Sequence, residues 1–248
     1  MHLKLSRRCA GSILLILGLA CFLPPAEART PANPDLNPAA RRVLDYLYRV
    51  KQQKKILAGQ HVRYWSSPPE HKHMKSLTGS WPAVAGFDLL GFHKHPKKRR
   101  TCLKMAKKHW KAGGLVTLSW HETSPALSEL DEGSYKHGTL KKMSDAAFRK
   151  VVTPGTKLHR RWIEHLDQAA RWLKKLQKAG VVVLWRPYHE MTGPWFWWGG
   201  KKPKHFRKLW RMMFERFTDH HGLNNLIWVW SAAQKGSRET YKRYFPDG

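Results

Sequence analysis

The chain alternates short, almost wholly apolar runs with longer stretches in which apolar residues recur at helical spacing. Within each short run neighbouring positions are apolar, which is typical of strands buried on both faces of a parallel sheet. Strands of this kind alternating with helices predict β/α units joined by crossover helices. The five predicted strands are 56–59, 83–90, 115–120, 181–185 and 226–230.

The helical stretches show clear starts and faces. Asn37 and Pro38 supply an N-cap and a first-turn proline for a helix that is predicted to run to about Gln53. Further helices are predicted at 101–111, 144–151, 159–178 and 205–220, and the rest of 123–157 is predicted to be a long loop. The apolar face of the 159–178 helix is predicted to contain Trp162, Ile163, Leu166, Ala169, Ala170, Leu173 and Leu176.

Titratable residues stand at or just past the ends of the predicted strands. His61 follows the first, Asp88 lies near the end of the second, His121 follows the third, and Glu190 follows the fourth. The carboxyl ends of parallel strands lie along one edge of a sheet or barrel, and functional residues gather there in α/β proteins. The sequence therefore predicts a site assembled from several strand ends.

The first 28 residues have the layout of a secretory signal peptide. A basic start at Arg7 and Arg8 precedes an apolar run at 13–23 and a small-x-small segment at 26–28. The run is too short to span a bilayer, so we expect no membrane span after its removal and a secreted or periplasmic protein. The predicted organisation is a signal peptide at 1–28, a linker at 29–38 and one domain at 39–248.

The formal net charge of +29 points to anionic partners. Such a field attracts anions over long distances. The basic residues are spread along the chain without a nucleic-acid-binding motif, so we do not expect nucleic acid as a partner. An anionic surface or acidic polysaccharide fits the charge, and so does ionic adhesion without a selected role.

The most informative block is 185–200. Glu190 stands at the end of the fourth predicted strand, and a Gly-Pro turn and four consecutive aromatic residues follow it. Cleavage of a glycosidic bond needs a proton donor on the leaving oxygen, and apolar walls help a carboxylic acid to keep its proton. Tryptophan faces also stack on sugar rings, so we expect Trp195 and Trp198 to bind substrate. The alternative is a buried aromatic cluster beside a surface glutamate.

Several blocks in order resemble glycoside hydrolase family 26, best known for endo-β-1,4-mannanases. The resemblance implies a (β/α)8 barrel, of which five strands are present, and retaining hydrolysis of a β-mannan-type polysaccharide. It makes Glu190 the general acid/base, with His189 and His121 lining the reacting subsite and Trp195 shaping the pocket. Arg186 either holds the carboxylates or caps the barrel interior. The matching blocks are 56–61, 82–88, 114–121, 185–200, 226–231 and 244–247.

A retaining mechanism needs a second carboxylate, the nucleophile, about 5–5.5 Å from the first. The resemblance places it on a seventh strand, beyond Gly248, so we expect the nucleophile to be missing from this chain and the chain alone to be inactive. An open sheet would also expose an edge that favours aggregation. Asp88 or Glu122 is the alternative nucleophile.

Two other functions remain open at this point: a non-catalytic sugar-binding or degenerate barrel, and a cationic surface binder. No cofactor and no metal are expected. The histidines 71, 73, 93 and 95 lack a cysteine or acidic residue at ligand spacing, and we interpret them as surface residues.

Overall fold

The computed structural model describes residues 30–62, 70–92, 94–127, 135–234 and 236–246. Their centre is a parallel sheet in which the strands follow one another in chain order. This is the arrangement of a partial (β/α)8 barrel, with β1 and β5 at its two edges. The predicted signal peptide lies outside the described residues. The strands are β1 (Gly59–His61), β2 (Val84–Asp88), β3 (Leu115–Trp120), β4 (Val183–Pro187) and β5 (Leu226–Trp228).

Seven α-helices are assigned in the described parts of the chain, and two π-helical turns accompany them at Tyr135–Thr139 and Arg216–His220. Most helices stand between consecutive strands, as the alternation of patterns predicted. The helices are α1 (Pro38–Gln52), α2 (Glu70–Thr78), α3 (Pro96–Lys111), α4 (Asp145–Val151), α5 (Lys157–Gln177), α6 (Pro203–Glu215) and α7 (Arg238–Tyr244).

The predicted helix starts and faces are largely confirmed. Asn37 caps α1, because its side chain accepts a hydrogen bond of 2.8 Å from the Ala40 amide. The predicted apolar face of α5 is buried except for Ile163, which is partly buried and packs against the core. Burial of such a face against a sheet is the main stabilisation of a crossover helix, and truncating one of its leucines costs about 2–5 kcal/mol.

Some boundaries differ from the prediction. The first strand is 59–61 rather than 56–59, and Ile56 is 93% exposed, because pairing with Val84–Gly86 begins only at Gly59. The helix predicted at 205–220 ends as an α-helix at Glu215 and continues as a π-helical turn. Helices α2 and α7 were not predicted: α2 has no buried residue, so its sequence carries little apolar periodicity, and α7 has only seven residues.

The segment before α1 packs against the amino-terminal end of the sheet. Asn33 and Leu36 lie in the predicted linker 29–38, yet both are buried, and the Asn37 amide donates to the Asn224 carbonyl at 2.8 Å. Leu36 joins a small apolar cluster that closes this end. The site predicted at the carboxyl ends therefore lies at the opposite, open end of the sheet.

Candidate active site

Asp88 at the end of β2 holds His121, which follows β3. Asp88 and Ser119 are register partners, and the Ser119 hydroxyl donates to Asp88 Oδ2 at 2.6 Å. His121 Nδ1 lies 2.6 Å from the same oxygen, and the His121 amide donates to Oδ1 at 3.2 Å. Burial would raise the pKa of Asp88, but these hydrogen bonds outweigh it and lower the pKa to about 2. The carboxylate is thus ionised and fixes the orientation of the His121 ring.

His121 and His189 meet edge to face above the sheet. Their Nε2 atoms are 3.1 Å apart, and the ring centroids are 4.5 Å apart at 80°. His189 is only 3% exposed, and burial, assisted by the positive charges of His121 and Arg186, lowers its pKa to about 3. His189 is therefore neutral near neutral pH. The two Nε2 atoms are within hydrogen-bond distance, so one ring donates to the other.

Glu190 follows β4 in an unusual backbone turn. Tyr188 and Glu190 have φ angles of 42° and 58°, the left-handed region that non-glycine residues rarely adopt. Such conformations cost about 1–3 kcal/mol each and persist where the surroundings impose them. The Glu190 amide donates to the Ser231 carbonyl beyond β5 at 2.6 Å, which fixes the turn against the next strand.

The Glu190 carboxyl is partly exposed, as a group that exchanges protons with a substrate must be. Its Oε2 accepts a 2.9 Å hydrogen bond from the indole Nε1 of Trp195, a residue that is 41% exposed. The exposed Trp195 thus borders the candidate acid and presents apolar surface to solvent. This places Glu190 and Trp195 together as the sequence predicted.

The other aromatic residues of the 195–198 segment lie beneath the site. Trp198 is fully buried and donates from Nε1 to the His189 carbonyl at 2.9 Å, while Phe196 stacks on it at 4.5 Å. The sequence placed Trp198 among the substrate-binding residues. In the structure its indole supports the His189 backbone and offers no face to a ligand.

A buried hydrogen-bond network supports the turn that carries Glu190. Tyr188 is fully buried, and its hydroxyl donates to Glu122 Oε2 at 2.6 Å and accepts from Trp162 Nε1 at 2.7 Å. His165 Nδ1 lies 3.0 Å from Glu122 Oε1, and Trp197 Nε1 donates to the Glu122 carbonyl at 3.0 Å. Burial, followed by the Glu122 charge, raises the pKa of Tyr188 well above its usual range. The network ties β3, β4 and α5 together.

Arg186 on β4 is half-buried in the barrel interior. Burial lowers its pKa, while the charges of Glu190 and Asp88 act in the opposite direction. An arginine remains ionised under such a shift. Arg186 therefore places a positive charge close to both carboxylates, which favours the first of the two roles considered for it.

Sequence reasoning missed two contributors to the site. Tyr135, from the π-helical turn in the long loop, lies with its ring 5.3 Å from His121 and is 43% exposed. The sequence analysis named Asp88 as a strand-end residue and as an alternative nucleophile, but did not predict that it holds His121. Of the histidines considered as surface residues, His71 packs on Trp81, and His93 is outside the described residues.

No helix in the described segments is long and apolar enough to cross a membrane. The fold and site together define a class: a β/α-barrel protein with a candidate acid at the end of its fourth strand, beside aromatic residues.

Comparison with known proteins identifies the family. The model for "Glycosyl hydrolase family 26" matches residues 32–248. A mannan endo-1,4-beta-mannosidase from Thermothelomyces thermophilus is 35% identical over 212 residues, which cover 82% of this chain and 42% of that protein. One from Bacillus subtilis is 29% identical over 243 residues, covering 90% of this chain and 65% of that protein. The chain belongs to glycosyl hydrolase family 26.

Solved structures agree with this assignment. GH26A from Muricauda sp. MAR_2010_75 superposes with a TM-score of 0.79 at 38% identity, covering 87% of this chain and 71% of that one. A β-mannanase from a symbiotic protist of the termite Reticulitermes speratus, solved with gluco-manno-oligosaccharide, gives a TM-score of 0.73 at 28% identity, covering 88% of this chain and 68% of that one. The five-stranded sheet is thus part of a (β/α)8 barrel, and the chain spans less than two thirds of the curated relatives named above.

Proposed function

We propose that this protein hydrolyses a β-1,4-mannan-type polysaccharide with retention of configuration and that Glu190 is its general acid/base. The observation that carries the proposal is the placement of Glu190 at the carboxyl end of β4, partly exposed and hydrogen-bonded to Trp195 at 2.9 Å. The names of the relatives and the gluco-manno-oligosaccharide in one related structure support the substrate class.

The neighbouring side chains fit defined roles. Glu190 gives a proton to the leaving oxygen and later takes one from water, as the acid/base of a retaining enzyme does. Trp195 offers an exposed aromatic surface to a sugar ring. Asp88 orients His121, which remains partly exposed, so the His121 ring can contact a sugar hydroxyl while His189 stays neutral beneath it.

The second carboxylate is a separate question. Asp88 is held by Ser119 and His121, and Glu122 is 1% exposed and held by Tyr188 and His165. Both carboxylates are buried and already hydrogen-bonded within the protein, which argues against either as the nucleophile. The proposal therefore takes the nucleophile from outside this chain, and we expect the chain alone to bind oligosaccharide without turning it over.

The test uses a protein extended to a complete barrel. Glu190→Gln should lower kcat on mannan by about 10²–10⁴-fold, because the proton donor is lost. Proton NMR of the first-formed sugar should show the β-anomer. Trp81→Phe, a change at an exposed tryptophan just before the amino-terminal end of β2, serves as the control and should leave kcat unchanged. Retained activity in Glu190→Gln would reject the assignment, and binding without turnover by the unaltered extended protein would favour the sugar-binding alternative.

We also propose that the protein is exported, supported by the signal-like pattern of residues 1–28. Expression in a bacterial host followed by fractionation and amino-terminal sequencing tests this. A mature chain that begins near residue 29 outside the cytoplasm is expected. A chain that retains residues 1–28 in the cytoplasmic fraction would contradict export.

A cationic surface on α3 favours attachment to an anionic surface as a second property. The helix carries no acidic residue, and four of its basic side chains line one depression with Lys175 of α5. We propose that this depression adsorbs the protein to acidic polysaccharide.

Adsorption should fall steeply with salt and should weaken in Arg100→Glu/Lys104→Glu. The matched control is Arg49→Glu/Lys51→Glu on α1, and equal losses in the two double variants would show that net charge alone is responsible. The basic residues of the depression are Arg99, Arg100, Lys104, Lys107 and Lys175.

A further inference from the structure

A cluster of metal-ligating side chains lies on the outer, helical layer, between α5 and the π-helical turn Arg216–His220. Asp167 of α5, His220 and His221 each offer one ligand atom, and these atoms all lie within 4.8 Å of one another. The two histidines are more than 50 positions from Asp167 in sequence, so no local sequence motif predicts the cluster. It belongs neither to the β4 strand end nor to the α3 surface.

We propose that Asp167, His220 and His221 bind a divalent transition-metal ion, with Zn²⁺ as the reference ligand. Two imidazoles and one carboxylate are a common ligand set for zinc, and a water molecule completes the tetrahedron. This departs from the sequence-based expectation of no metal.

The geometry needs only small side-chain movements. His221 Nε2 is already 2.8 Å from Asp167 Oδ1, close to the separation of about 3.3 Å between two ligands of a tetrahedral zinc site. His220 is exposed, and its ring lies 4.7 Å from that of His221. Because the His220 side chain is exposed, no packed neighbour prevents its rotation, which brings a ring nitrogen toward the Asp167–His221 pair.

The backbone contributes an independent observation. The α-helix α6 gives way to a π-helical turn at Arg216, and such turns are rare and concentrate at functional sites. The wider turn brings two consecutive residues, His220 and His221, toward α5. Lys174 of α5 donates to the His221 carbonyl at 3.1 Å, which fixes the chain at this point.

Arg216 is the main competitor and also a support for the site. Its Nε and Nη2 each donate to Asp167, to Oδ1 and Oδ2, at 2.8 Å. Arg216 and His221 together hold the Asp167 carboxylate in a fixed orientation. Each carboxylate oxygen has two lone pairs, so Oδ2 can keep Arg216 while Oδ1 turns to the metal, and hydrogen-bonded carboxylate ligands are usual in metal sites. The positive charges of Arg216 and Lys174 weaken the site without blocking it.

Isothermal titration of the chain with Zn²⁺ at pH 7.5, without a histidine tag, tests the proposal. One saturable site is expected, together with a rise in Tm on adding Zn²⁺, because an ion that binds only the folded state stabilises it. Co²⁺ should give the absorption bands of a tetrahedral complex. His220→Ala and His221→Ala should each weaken Zn²⁺ binding by about 10-fold or more.

The matched control is His73→Ala on α2, an exposed histidine away from the cluster, which should leave the Zn²⁺ affinity unchanged. His220 is exposed, so its removal should not disturb folding, and the far-UV circular dichroism of each variant checks this. Absence of a saturable Zn²⁺ site in the unaltered chain would overturn the proposal. Zn²⁺ binding that survives either histidine substitution would overturn it as well.

Discussion

The substitution Tyr188→Phe isolates the hydrogen-bond network beneath Glu190. Tyr188 is fully buried, so phenylalanine keeps the ring packing and removes only the hydroxyl. That hydroxyl donates to Glu122 Oε2 at 2.6 Å and accepts from Trp162 Nε1 at 2.7 Å. The substitution therefore deletes one charge-assisted hydrogen bond and leaves a buried indole N–H without its acceptor.

Both losses contribute to the expected magnitude. A hydrogen bond to a charged group is worth about 1.5–3 kcal/mol, and a buried donor without a partner costs about 1–3 kcal/mol. Glu122 keeps His165 as a partner, and the two effects share one hydroxyl, so they do not add fully. We expect Tyr188→Phe to lower the free energy of unfolding by about 3 kcal/mol.

Urea unfolding followed by tryptophan fluorescence measures this change. With an m-value of about 2–3 kcal/mol/M, a loss of 3 kcal/mol moves the midpoint down by about 1–1.5 M. The control is Tyr46→Phe, a change at a tyrosine that is 40% exposed, for which we expect a change within about 0.5 kcal/mol. A loss in Tyr188→Phe no larger than that in the control would refute the reasoning, because the network would then contribute nothing to holding the turn.

Three further predictions concern other parts of the site. The pKa of Asp88 is lowered to about 2, so the stability that its carboxylate contributes is complete above about pH 4 and is lost as pH falls toward 2. In urea unfolding, Asp88→Asn should therefore reduce the acid-induced loss of unfolding free energy by about 2 kcal/mol. An equal acid-induced loss in both proteins would contradict this. The pKa of His189 is lowered to about 3, so below about pH 6.5 the unfolded chain binds a proton at this position that the folded chain does not. The free energy of unfolding should therefore fall by up to about 1.4 kcal/mol per pH unit toward pH 3, and it should fall less steeply in His189→Asn. A steeper fall in that variant would count against a buried neutral ring. A Cβ at Gly199 would collide with the Gly193 carbonyl, so Gly199→Ala should disrupt the aromatic loop and lower both Tm and near-UV circular dichroism; an unchanged spectrum would show that the loop adapts.

The parts of the fold that follow from local periodicity were predictable. The buried face of α5 and the strands β2 to β4 were predicted from apolar spacing, because burial imposes a repeat that a sequence displays directly. The first strand was misplaced because only three residues pair, and the apolar lead-in from Ile56 is exposed. Apolar periodicity therefore predicts burial well in a long element and poorly in a short strand.

The contacts within the site were predictable only in part. Glu190, His189 and Trp195 come from one continuous block, so their proximity follows from the chain itself. The Asp88–His121 pair depends on the register that sets Asp88 beside Ser119 on the neighbouring strand, and no local pattern in a single sequence encodes register. For the same reason Glu122 was considered a possible nucleophile, although it is the buried acceptor for Tyr188.

The arrangement of these contacts explains how a strained turn can hold Glu190 in place. Tyr188 and Glu190 both adopt positive φ angles, which together cost about 2–6 kcal/mol. The hydroxyl of Tyr188 is tied to Glu122, the His189 carbonyl to Trp198, and the Glu190 amide to the Ser231 carbonyl, so each residue of the turn has its own hydrogen bond to a different element. All three bonds join residues in the segments that follow β3, β4 and β5. These bonds hold the backbone that carries the candidate acid Glu190, so in the proposed mechanism the nucleophile approaches a turn that is already ordered.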